Sequence, residues 1–79
     1  MRPALTLAAA LLGLVSARAD LCVSMLARID AAAASTRLSP AQAAELDRLR
    51  DEGRALCDKG EDQQAVKRLA EAELILGLR

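Results

Sequence analysis

The stretch from Leu49 to Ala72 reads L-x-x-x-G-x-x-L-x-x-x-G-x-x-x-x-A-x-x-x-L-x-x-A. Its small and apolar residues recur at intervals of three and four, the period of one helical face. Gly60 interrupts the pattern where a left-handed residue would end one helix and let the chain turn back. The stretch therefore predicts a helical hairpin. Gly53, Gly60, Ala65 and Ala72 are small where the two helices would touch, and Leu49, Leu56 and Leu69 lie beside them as the larger packing residues.

A hairpin alone cannot bury both of its faces, and the chain offers little else. Its 79 residues suffice for one small domain. If residues 1–19 are removed, as expected below, 60 remain. A domain of that size buries only about 60% of its unfolded surface, so it needs a staple or a partner. Phe, Tyr, Trp and His are all absent, so the core must be Leu, Ile, Val, Met and Ala. Stacking on bases or sugars is excluded for the same reason. The chain has 11 basic and 11 acidic residues; without Arg2 and Arg18 the balance is 9 against 11, a net of −2. The signs alternate along the helices as on a solvated face, with no basic stripe for phosphates, so no nucleic-acid partner is expected.

Met1 to Ala19 reads as a secretory signal peptide. Arg2 supplies the positive start, Ala4 to Val15 an uncharged run of 12 residues, and Ala17-Arg18-Ala19 the cleavage site before Asp20. As a helix that run would span about 18 Å, short of the roughly 30 Å hydrocarbon core. The mature protein is accordingly expected in the periplasm or outside the cell, with no stable membrane insertion. Acylation at Cys22 is not expected, because Ala19-Asp20-Leu21 lacks the Leu and small residues that a lipoprotein signal requires.

A first helix is expected from Asp20 to about Thr36, with Leu21 or Cys22, Met25, Leu26, Ile29 and Ala32 or Ala33 on its apolar stripe. Arg28 and Asp30 would face away. The second helix has the clearest start: Ser39 as cap, Pro40 at the first helical position and Gln42 completing a capping box. Leu46, Leu49, Gly53 and Leu56 form its stripe, with a favourable Asp47, Asp51 and Arg54 neighbourhood outside; Lys59 and Gly60 suit its end. The third helix begins at Glu61 or Asp62 and turns Ala65, Val66, Leu69, Ala72, Ala70 or Glu73, and Leu76 inward. Its last turn, Leu74, Ile75 and Leu76 followed by Leu78, is apolar on more than one face. Two readings fit: a helix wrapped against both others, or an exposed edge on which a partner docks.

Two cysteines in an exported chain permit one intramolecular bond, Cys22 to Cys57. Antiparallel packing of the first two helices brings these positions to the same end. Counted from the connection, the two arms differ by roughly 7 Å at 1.5 Å per residue. A first helix running to Arg37, or a rising connection, would absorb that. An intermolecular bridge uses the same residues. A redox pair lacks the C-x-x-C spacing, and a metal site lacks further ligands, so neither metal nor cofactor is expected.

Residues 46–79 resemble a single tetratricopeptide (TPR) repeat, whose pattern runs over 34 residues. Leu49 stands at the Trp position, Gly53 at the Gly, Leu56 at the Tyr, Gly60 at the turn, Ala65 and Ala72 at the two Ala positions, and Leu69 at the aromatic. Glu52 replaces the usual Leu, Gly77 the usual Pro, and every aromatic position is aliphatic. Shifted back by one repeat, the template fails on Ala31, Ser35 and Leu38. The first helix is therefore expected to act as a cap on a lone repeat, which cannot bury its face by itself.

The expected fold is all-α: a disulfide-stapled three-helix bundle over residues 20–79, after a cleaved leader. The resemblance implies a non-catalytic module that binds an unidentified protein or peptide. The surface would be the concave side of the last two helices, or the end carrying Leu74, Ile75 and Leu78. A loose similarity to small helical periplasmic acid-stress proteins with one disulfide implies an alternative, a holdase-type chaperone responding to low pH. Enzymatic activity is not expected: there is no His, and Ser24, Ser35, Thr36 and Ser39 occupy helix or cap positions.

Overall fold

The computed structural model describes residues 21–79. The proposed leader and its cleavage site lie outside them. Three helices follow one another: α1 over residues 21–35, α2 over Pro40–Asp58 and α3 over Asp62–Ile75. They pack as a bundle around Met25 and Ile29 of α1, Leu46 and Leu49 of α2, and Leu69, Ala72 and Leu76 of α3 and its C-cap. Leu26, Leu38, Val66 and Ile75 cover the edges of that core.

Helix α1 ends without a glycine. The Ser35 hydroxyl donates to the Ala32 carbonyl at 3.3 Å, meeting one of the acceptors that a helix end leaves open. The connection 36–39 then runs without helix, so it is this segment that takes up the length mismatch between the two arms. Helix α2 starts as a capping box: the Gln42 N–H donates to Ser39 Oγ and the Ser39 N–H to Gln42 Oε1, each at 3.1 Å.

Both later helices end in the same way. The Glu61 N–H donates to the Leu56 carbonyl and the Gly60 N–H to Cys57, while the Leu78 N–H donates to Glu73 and the Gly77 N–H to Leu74. This is the paired closure of a Schellman motif, and it requires the left-handed residue that Gly60 (φ 77°) and Gly77 (φ 73°) supply. The Gly77 position, where the TPR pattern has Pro, is thus a second helix stop.

Cys22 and Cys57 are joined within the chain, with Cα atoms 6.2 Å apart, tying the start of α1 to the end of α2. Among the described residues no helix is long and apolar enough to cross a membrane.

Candidate functional site

The α2–α3 contact is built on one close approach. A Cβ placed on Gly53 would lie 2.5 Å from Leu69 Cδ2 and 2.7 Å from Leu69 Cγ, inside van der Waals contact. Leu69 itself is fully buried, as are Ala65 and Ala72, and Leu49 is buried beside them. Leu56 is only half-buried and stands outside the central cluster. Gly60 is exposed, with nothing within 4 Å of the place where its Cβ would be. The expectation that Gly60 packs between helices is therefore corrected: it serves the turn through its backbone angle alone.

The apolar end of α3 divides its residues. Leu76 is buried and Ile75 packs half-buried against the core, whereas Leu74 is 61% and Leu78 38% exposed. Ile75 thus leaves the expected docking edge, and Leu74 and Leu78 remain on it. The difference follows from the helix period: Leu76 lies seven residues after Leu69 on the inward stripe, and Leu74 falls between stripe positions. At the other end, Leu21 and Val23 of α1 are also exposed. A groove of about 410 Å³ beside them is lined by Leu21, Cys22, Gly60, Asp62, Gln63 and Val66.

Among the described residues, charged side chains join each pair of helices once. Arg50 reaches Asp30 at 3.3 Å between α2 and α1, Arg68 reaches Glu52 at 3.7 Å between α3 and α2, and Arg28 reaches Glu73 at 3.6 Å between α1 and α3. Arg28 and Asp30, expected to face away, are exposed yet each spans to a neighbouring helix. Asp47 and Asp51 turn to Arg50, at 3.8 and 3.6 Å, and not to the expected Arg54. Burial pulls the Arg50 guanidinium down, but the hydrogen bond to Asp30 and the charges of Asp30, Asp47 and Asp51 outweigh it and hold the group above its ordinary range.

Glu73 and Ala70 compete for one inward position on the stripe of α3. The structure selects Glu73, which is 1% exposed. Its Oε1 accepts from Arg79 Nε at 2.6 Å, while its Oε2 is buried without a hydrogen bond. The signal for it was present: Glu73 lies four residues after Leu69 and three before Leu76, on the core stripe.

On the outer face of α2, Arg48 lies between Glu45 and Glu52 and bonds both. The hydrogen bond from Arg48 holds the Glu45 carboxyl below its ordinary value, with the Arg48 charge acting in the same direction and desolvation opposing. Because the folded-state value is depressed, the associated stabilisation is present above the ordinary carboxylate range and is lost as pH falls through the lowered value. A carboxyl-resolved NMR titration is expected to show Glu45 titrating at lower pH than an isolated glutamate, and Arg48→Gln to return it to the ordinary range. The pair is solvent-exposed, so the effect on unfolding is small.

Among the described residues no group of three or more Cys, Asp or Glu is arranged to hold a metal ion. Comparison with protein-family models, curated proteins and solved structures finds no match to this chain.

Proposed function

We propose that this chain is an exported, non-catalytic interaction module: a TPR-like hairpin completed by α1, which docks on another protein. Export draws support from the disulfide, since such bonds persist in oxidising compartments and are rare in the cytosol. The TPR-like reading draws support from the close contact of Gly53 with Leu69 and the complete burial of Ala65 and Ala72, the positions at which small residues let two helices approach. The non-catalytic reading fits the charged groups that lie together, because Arg28, Arg48, Arg50, Arg68 and Arg79 are engaged by carboxylates of the same bundle.

One observation carries the interaction reading: Leu74 and Leu78 stay exposed on the turn whose other leucine, Leu76, completes the core. A small domain without aromatic residues places two leucines, among its largest apolar side chains, at the surface of one helix end, where contact with a partner would bury them. Crosslinking and mass spectrometry on periplasm from cells expressing the full chain test this. The wild type is expected to yield a discrete crosslinked partner that the Leu74→Asp, Leu78→Asp double variant loses while keeping its helical circular dichroism. Equal recovery by both, or none by either, overturns the reading. An intact mass of the exported protein checks the expected start at Asp20.

A further inference from the structure

The Cys22–Cys57 bond closes a covalent ring that contains the α1 helix from residue 22 onward, the connection and α2 from Pro40 to Cys57, leaving out only its last residue, Asp58. Helix α3 lies wholly outside that ring. Asp58, Lys59, Gly60 and Glu61 alone connect it, and the side of Gly60 is open to solvent, with nothing within 4 Å of the place where its Cβ would be. α1 is held to α2 at both ends by covalent bonds. α3 is held by one short turn, by what its inward face touches and by the half-exposed Arg68–Glu52 pair.

That face contains a weak point. Leu69, Ala72 and Leu76 are apolar, but the position between them is the carboxylate of Glu73. The tail after α3 presents Arg79 to it, α1 presents Arg28, and among the described residues α2 places no charged side chain within ion-pairing distance. The Arg28 guanidinium, at 3.6 Å, attracts Oε2 without a hydrogen bond, and that oxygen is sealed from water. A buried carboxylate that is only partly bonded recovers less than it loses by leaving water, and a packed apolar side chain would hold the same place better. When α3 separates from α1, Glu73 regains its hydration, and Arg28 and Arg79, both already largely exposed, lose little.

We infer that α3 is a releasable arm. It leaves the disulfide-closed α1–α2 ring as a unit, turning at Gly60, with Glu73 as the weak clasp, and uncovers the apolar surface of Met25, Ile29, Leu46 and Leu49. This is a conformational device of the fold and stands independently of any partner at Leu74 and Leu78. Helix-sized units that open below the global unfolding transition are detected by hydrogen exchange.

The test is native-state hydrogen exchange on the oxidised protein, resolved helix by helix. The amides of α3 are expected to share one opening and to exchange roughly tenfold or more faster than the slowest amides of α1 and α2. Glu73→Leu is expected to slow exchange in α3 selectively, and Glu73→Ala to speed it selectively. A common protection across all three helices, opening of α1 before α3, or faster α3 exchange in Glu73→Leu overturns the inference. The helix-by-helix comparison in the wild type decides the matter even if neither variant folds.

Discussion

Reducing the Cys22–Cys57 bond, or replacing Cys57 with serine together with Cys22→Ser, is expected to remove roughly 4 kcal/mol of stability. The magnitude follows from the 35-residue separation of the two cysteines, because a cross-link of that span withdraws loop-closure entropy from the unfolded chain. Domains of this length are held by only about 0.05–0.15 kcal/mol per residue, so the loss is comparable with the whole stability of the fold. No aromatic side chain is present to compensate. Urea denaturation followed by circular dichroism, with and without reductant, checks this: the oxidised chain should show a cooperative transition and the reduced chain little or none near neutral pH. Coincident midpoints would show that α1 is held by the apolar contacts that its Met25 and Ile29 make with the other two helices, and that the bond contributes little.

The second large effect is expected at the α2–α3 crossing. Gly53→Ala should destabilise the fold by about 1–2 kcal/mol even though alanine raises helix propensity by nearly 1 kcal/mol, because the new methyl group would enter the space of the Leu69 side chain. Leu69 is fully buried and has no exposed route of escape. Leu69→Ala alone should cost about 2–5 kcal/mol through lost burial and the cavity left behind. The double variant should be more stable than the sum of the two losses predicts, since each substitution relieves part of what the other does. A coupling of about 1 kcal/mol or more in a double-mutant cycle would be the mark of direct contact. Strict additivity would mean that α2 and α3 can shift apart without loss, and that the small residue at position 53 is not required.

Most of the secondary structure follows from local chemistry. Ser39, Pro40 and Gln42 carry the start of α2 within four residues, and Gly60 and Gly77 each mark a stop because few other residues take the left-handed angle. The end of α1 was less legible, since its stop is a serine hydroxyl on the Ala32 carbonyl and no glycine marks it. The exposed pair at the end of α3 was half legible. The apolar run from Leu74 to Leu78 stands out in the sequence, but whether Ile75 lies on the surface or against the core depends on the rotation of α3 against its neighbours.

What the sequence by itself determined was the number of helices, the start and stop of α2, and the placing of two cysteines at one end of an antiparallel pair. Each of these rests on interactions within a few residues or on a choice with a single intramolecular solution. The tertiary structure alone decided how the charges are partnered: Arg50 with Asp30, Arg68 with Glu52, and Glu73 sealed between Arg28 and Arg79. Long side chains on a helix reach several neighbours equally well, and only the relative rotation and height of the three helices select among them.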